Sequence, residues 1–293
     1  MAEIAIPETL LWWTDMPGGA EWLARLPRLA AECAEQWGLT LGRPFPGANI
    51  SFVIPAGDAV LKINFPEAES EHEPDALRLW CGRGAVELLA YDEARRALLL
   101  ERCEPGATLW ELGDESAANH IAAGLLLEIW QPPPPDHPFR LLADEASRWA
   151  EQLPQQWAQL GRPFEQTLVE EAVAAARDLS ESQEESVILH QDYHGGNILR
   201  ARREPWLVID PKPLAGERAF DAASLLRDRR DELAADPHPA RRVRRRLDQL
   251  TSELGLPRER LRGWGIVHAL AWGISERTIE EDMVACAMWL AEA

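Results

Sequence analysis

His190-Gln191-Asp192-Tyr193-His194-Gly195-Gly196-Asn197 is a polar run set between two short apolar segments, Val187-Ile188-Leu189 and Ile198-Leu199. Thirteen residues after Asn197, Asp210 closes another apolar segment, Trp206-Leu207-Val208-Ile209. The pattern reads as a loop between strands that presents one Asp and one Asn, followed by a strand that ends in a second Asp. Phosphoryl transfer uses these residue types. One carboxylate orients an acceptor hydroxyl and takes its proton, while a neutral oxygen and a second carboxylate hold Mg²⁺ against nucleotide phosphates. In this reading His190 braces the loop by hydrogen bonding. Two other readings compete. Loops rich in Asp, Asn and Gly are ordinary turns, and His190, Asp192 and His194 spell an H-x-D-x-H pattern with residue types that suit zinc. No second cluster in the sequence supplies the remaining zinc ligands.

Upstream segments favour the first reading. Val60-Leu61-Lys62-Ile63 places an ammonium on the third N-terminal strand, where a kinase contacts the α/β phosphates. The next helix offers Glu73, with Glu71 close by, to position that lysine. Leu98 through Gly106 leads out of the last strand, and its backbone near Glu101 and Cys103 is the expected adenine-reading hinge. The cation count agrees. The chain has 28 arginines and only two lysines, Lys62 and Lys212, and the two residue types are not interchangeable where a compact ammonium must fit.

The totals exclude several classes. The 293 residues suffice for one large or two smaller domains, and 46% apolar with 27% charged residues is a globular composition. A net charge of −19 disfavours nucleic-acid and anionic-membrane partners. Cys33, Cys81, Cys103 and Cys286 are scattered, with no C-x-x-C pair. No apolar run approaches a membrane span, and no signal-peptide pattern opens the chain. The expectation is a reduced, cytoplasmic protein, monomeric or weakly dimeric.

Residues 1–37 read as mainly helical, broken at Pro17-Gly18-Gly19. Leu39–Phe45, Ser51–Pro55 and Ala59–Asn64 read as a meander with turn residues between them. A helix follows at 73–82, then a strand pair at Val86–Tyr91 and Arg95–Arg102. Helices are expected from about Asp114 or Ser116 to Trp130, and at 141–160, 165–181, 220–235, 239–254, 258–275 and 278–291. Strands at Val187–His190 and Trp206–Asp210 flank the polar loop. A β-rich part followed by a helical part with a small hairpin is an α+β, two-lobed plan.

Taken together, these segments resemble the protein-kinase-like antibiotic phosphotransferases, and within them the aminoglycoside/hydroxyurea resistance kinases of the streptomycin 6-phosphotransferase group. The matching stretches are Val60–Ile63, Glu73 through Trp80, Leu98–Gly106, His190–Leu199, and Ile209-Asp210-Pro211-Lys212-Pro213 with Gly216–Asp221. They run in family order from about residue 45 to 230. The resemblance implies a small antiparallel β N-lobe over 1–103 that binds nucleotide. It also implies a helical C-lobe over 104–293 with the catalytic loop and acceptor site, and a cleft between the lobes. It implies Asp192 as catalytic base, Asn197 and Asp210 as Mg²⁺ ligands, Lys62 as the ATP-phosphate lysine and Glu73 as its partner. The acceptor would be a cationic, hydroxyl-rich small molecule, with a streptomycin-like aminoglycoside first. A metabolic amino-sugar or other alcohol, and a non-catalytic ATP- or ligand-binding protein, are the alternatives.

The chain departs from the family pattern in two places. Gln191 stands where the group has Gly, which is acceptable if the backbone there is ordinary and would let Gln191 reach substrate. Phe45-Pro46-Gly47-Ala48-Asn49-Ile50-Ser51 has the single glycine Gly47, so phosphate contact falls to backbone N–H groups and Ser51. Lys212 is expected to neutralise the transferred group or anchor its loop, and Asp221 to cap or brace the following helix. Glu217, Trp272 and Glu280 are candidate substrate contacts, and Trp264 a candidate cleft residue. Arg241–Arg246 reads as a solvated helix face paired with acids. Lys62→Arg keeps the charge but not the shape, and should raise the apparent KM for ATP or lower kcat. Unchanged steady-state kinetics would leave the lysine count without a functional meaning.

Overall fold

The computed structural model describes residues 4–293, so the start of the helical segment expected over 1–37 lies outside the described residues. The chain divides into two units. The first runs to Gly106 and takes in Arg200–Leu207; the second comprises Ala107–Leu199 and Val208–Ala293.

In the first unit a 3-10 turn at Glu8–Asp15 precedes α1 (Gly19–Trp37). Strands β1 (Phe52–Ala56) and β2 (Ala59–Ile63), helix α2 (Glu73–Trp80) and strands β3 (Leu88–Asp92) and β4 (Ala97–Glu101) follow. The sheet is antiparallel in the order β1-β2-β4-β3. Alternation decides what each face does. Phe52, Ile54, Leu61, Ile63 and Ala97 pack with Leu23, Leu26 and Ala30 of α1 in one buried cluster. Lys62, between two such residues, faces the other way, toward the start of α2.

The third strand of the expected meander, Leu39–Phe45, does not form. The segment runs beside β1 through an isolated bridge from Leu41 to Ala56 and the bonds Gly42 N–H to Pro55 O and Phe45 N–H to Val53 O. Pro44 and Pro46 have no N–H to extend the ladder.

The second unit begins with a short 3-10 turn, Leu109–Glu111, closed by a Thr108/Glu111 capping box. Then come α3 (Glu115–Ile129), β5 (Arg140–Leu141), α4 (Leu142–Gln159), α5 (Gln166–Glu181) and β6 (Val187–Leu189). After the polar loop, β7 (Ile198–Arg200) pairs with β8 (Trp206–Val208), and β9 (Leu214–Gly216) joins β5 and β6 in a three-stranded sheet. Helices α6 (Arg218–Leu226), α7 (Arg230–Ala234), α8 (Pro239–Leu254), α9 (Arg258–Gly273) and α10 (Glu281–Ala291) complete the chain. The architecture is α+β. The helix expected over 220–235 is in fact two. Arg229 takes a left-handed φ of 53°, and its guanidinium donates to Leu109 O and Leu112 O. Among the described residues no helix is long and apolar enough to cross a membrane.

The arginine run lies on α8 and is only partly solvated. Glu115, at the first turn of α3, pairs with Arg242, Arg245 and Arg246, and Arg246 is buried. Burial pushes the Glu115 carboxyl up, but hydrogen bonds from Arg246 and Arg242 overcome this and lower its pKa from 4.5 to about 2. A lowered folded pKa contributes stability that is present above the unfolded value and lost as pH falls through the folded one. Urea-unfolding stability should therefore decline between about pH 5 and 2 as Glu115 titrates. Glu115→Gln should cost about 1–3 kcal/mol at neutral pH and flatten that decline.

Candidate active site

The loop after β6 is anchored from below. Asp221, in the first turn of α6 and fully buried, accepts His190 N–H on Oδ2 and Gln191 N–H on Oδ1, both at 2.8 Å, and the Trp130 indole N–H at 3.2 Å. Burial raises its pKa to about 6, against the pull of the donated backbone bonds. It braces the loop, not its own helix end alone. Tyr193 points into the core and donates its hydroxyl to Ala122 O at 2.7 Å. With His190 and Tyr193 turned inward, Asp192 is left about one-third exposed.

His190 is a brace, as its type suggests. Its Nε2 lies 2.9 Å from Ile209 O, and its own carbonyl accepts Lys212 N–H at 2.9 Å. Burial drives its pKa down to about 4, so the ring is neutral. Among the described residues no group of three or more His, Cys, Asp or Glu side chains is placed to hold a metal ion, so the H-x-D-x-H pattern does not assemble a zinc site. The same two bonds fasten the Asp210 segment to the loop. A third, Ile209 N–H to Asn197 O at 2.9 Å, sets Asp210 beside Asn197. Asn197 donates its side-chain N–H to Asp192 O at 2.9 Å and approaches Asp192 Oδ2 at 3.4 Å. That orientation turns the Asn197 amide oxygen away from Asp192. Lys212, buried, holds Nζ 3.8 Å from Asp210 Oδ1.

Gln191 and Asp210 both adopt left-handed backbone, with φ of 68° and 58°. The expectation of an ordinary backbone at Gln191 is therefore corrected: the position is one where Gly is unstrained and a side chain costs about 1–2 kcal/mol. The Gln191 side chain does not face an acceptor either. It is buried, and its Oε1 accepts from Arg140 at 2.9 Å.

In the first unit, Lys62 Nζ donates to both carboxylate oxygens of Glu73 at 2.7 Å, all of it buried. Glu71 instead lies 3.9 Å from Arg96. Asn64 donates to Glu73 at 2.7 Å, and Ser51 donates its hydroxyl to Asn64 at 2.7 Å. Ser51 is thus committed to the Lys62 network, and its expected phosphate contact is replaced by support of Glu73. Gly47 sits in an exposed turn. Glu101 ends β4 with its carboxylate bound by Arg203 and by Glu87 N–H, so its side chain is structural. Cys103 follows, half-buried, its thiol pushed up to about 12 by burial.

A cavity of about 640 Å³ opens in the second unit, with Asp192, Trp272 and Glu280 among its walls. Trp272 stacks on His268, with centroids 4.0 Å apart. Glu280 is half exposed, 3.8 Å from Arg230. Glu217 is not there: it is buried, paired with Arg260 at 2.9 Å and hydrogen-bonded by the Trp264 indole. Its assignment to substrate, and that of fully buried Trp264, are overturned by these long-range partners. The sequence reading missed Trp110, Arg227 and Asp231, which also line the cavity. Arg227 and Asp231 flank the break between α6 and α7, and nothing in the local sequence signals that break. Asp221→Asn leaves one acceptor oxygen where two are used. It should lower unfolding free energy by about 2–4 kcal/mol in denaturant titrations and reduce turnover.

The chain matches the aminoglycoside/hydroxyurea antibiotic resistance kinase family over residues 49–278. It is 36% identical to the streptomycin 6-kinase of Streptomyces glaucescens over 275 residues, covering 91% of this chain and 89% of that one. It is 35% identical to the hydroxyurea phosphotransferase of Kitasatospora aureofaciens over 288 residues, covering 94% and 82%. Among solved structures, an aminoglycoside phosphotransferase in ternary complex with ADP and hygromycin B superposes with a TM-score of 0.57 at 17% identity, covering 89% of this chain and 96% of that one. The fold is accordingly protein-kinase-like, and the chain belongs to the aminoglycoside/hydroxyurea antibiotic resistance kinase family.

Proposed function

We propose that this ATP-dependent phosphotransferase transfers the γ-phosphoryl group of Mg·ATP to a hydroxyl of a streptomycin-like aminoglycoside, inactivating it. The observation that carries the reading is Asp192. It is a partly exposed carboxylate on a loop braced by Asp221, opening into a cavity whose walls hold two indoles, four further carboxylates and the guanidinium groups of Arg227, Arg229 and Arg230, an acidic excess that suits a cationic polyol. The first unit takes the nucleotide role and the second the acceptor role. Asp192 removes the hydroxyl proton as the oxygen attacks the γ-phosphorus in line, and ADP departs. Lys62, oriented by Glu73, contacts the α/β phosphates. Asn197 and Asp210 would hold Mg²⁺ through side-chain oxygens, the donor type that ion prefers. The bound ion would neutralise developing charge on the phosphates. Lys212, beside Asp210, adds a fixed positive charge. The protein acts in the cytoplasm as a monomer or weak dimer.

The test is acceptor-dependent ADP production over a panel of aminoglycosides, amino-sugars and hydroxyurea. Streptomycin should give the highest kcat/KM; a preference for a plain amino-sugar or hydroxyurea would reassign the acceptor. Asp192→Asn should lower kcat by about 10²–10⁴-fold with an unchanged melting temperature. Near-wild-type turnover by that variant would remove Asp192 from the role of base.

A further inference from the structure

His194 lies two residues past Asp192, and none of the roles above uses it. Its imidazole is held on three sides. Gly196 N–H donates to Nδ1 at 3.1 Å. A nitrogen that accepts carries no proton, so the neutral ring must carry its hydrogen on Nε2. Nε2 faces Asp192 Oδ1 at 3.6 Å. The ring face lies against the Trp110 indole, with centroids 5.0 Å apart and planes 11° from parallel.

Trp110 is itself tied to the loop. Asp228 accepts the indole N–H on Oδ1 at 2.6 Å and Gly195 N–H on Oδ2 at 2.8 Å. One carboxylate thereby joins the indole to the backbone it covers. The two glycines complete the arrangement. A Cβ on Gly195 would stand 2.6 Å from Trp110 Cδ1, and a Cβ on Gly196 would stand 2.6 Å from its Cζ3 and Cη2. Neither glycine has a positive φ. What the pair provides is therefore space for the indole, not backbone freedom.

Resting on Asp192 as the base, we infer that His194 is a positioning residue for that base. A clamp of Trp110, Asp228 and the Gly195-Gly196 backbone holds it as a neutral Nε2–H donor aimed at Asp192. The contact of 3.6 Å is longer than a formed hydrogen bond. Such contacts tighten when an acceptor is engaged. Once His194 closes on Oδ1, with Asn197 near Oδ2, the carboxylate plane is held from both sides. A carboxylate held in that way offers the acceptor hydroxyl a single orientation. Misplacing a reacting group by about 1 Å can cost about 100-fold in rate, which sets the scale of the effect.

Nitrogen-15 NMR of the full-length protein labelled at histidine tests the inference without substrate, with the His194 signals identified by their loss in His194→Gln. The expected spectrum shows His194 as a single Nε2–H tautomer, with mixing of tautomers in Trp110→Phe, which keeps a ring but lacks the N–H for Asp228. An Nδ1–H form or an averaged signal in the wild-type protein would overturn the inference whatever the role of Asp192. In kinetics, His194→Gln, which keeps an N–H donor, should retain about ten times more kcat than His194→Phe, with the KM for ATP unchanged in both. Equal kcat values for the two variants would likewise overturn it. The base assignment itself stands or falls separately, on Asp192→Asn.

Discussion

Asp221 gives both carboxylate oxygens to the underside of the loop that carries Asp192, and the second unit's share of the site is hung from those two bonds. They capture His190 N–H and Gln191 N–H at 2.8 Å and hold Gln191 in left-handed backbone, so that the next residue turns outward. From His190 the constraint passes sideways. Its ring and carbonyl fasten Ile209 and Lys212, and Asn197 O fastens Ile209 N–H, which brings Asp210 to the loop. A buried carboxylate is tolerated because each oxygen is satisfied by a donor. Networks of this kind gain rigidity from full satisfaction and lose it when one member is removed.

The two cation types divide the labour. Arginine builds the multi-bond junctions: Arg203 on Glu101, Arg260 on Glu217, and Arg242 with Arg246 on Glu115. A planar fork with five donors suits such junctions. The two lysines are both buried and both beside a carboxylate of the proposed chemistry, Lys62 on Glu73 and Lys212 near Asp210. In the proposed reaction a single compact charge would face phosphate there as well. Arginine pairs remove acids and cations together, so the net charge of −19 is the excess of 49 acids over 30 cations that such pairing leaves. The cavity beside Asp192 carries both signs, with Asp228, Asp231, Glu232 and Glu280 set among Arg227, Arg229 and Arg230.

How much could be read in advance follows from the range of each interaction. The polar loop, Asp210 and Lys62 were legible because phosphoryl-transfer chemistry narrows the residue types and the apolar flanks mark the strands. For the partner of Lys62 the residues alone left Glu71 and Glu73 open, and only the resemblance pointed to Glu73, since the two differ in where α2 begins, and α2 begins at Glu73. Glu217 was misread because Arg260 and Trp264 arrive from α9, more than forty residues away. The missing strand at Leu39–Phe45 was decided locally, by Pro44 and Pro46. The strain at Gln191 was hidden because the chain has Gln where Gly would have announced a positive φ. Trp110 carried no signal, since its neighbours in space, Asp228 and Gly195, lie far along the chain.

The chemistry assigned to Asp192 and its neighbours converges on one event, the passage of a phosphoryl group from ATP to an alcohol oxygen. Phosphorus-31 NMR of the protein with Mg·ATP and streptomycin observes that event directly. The expected result is loss of the γ-phosphate signal matched by equal amounts of ADP and a new phosphomonoester resonance. Release of inorganic phosphate alone, or a γ-phosphate signal that persists with every cationic polyol offered, would contradict it.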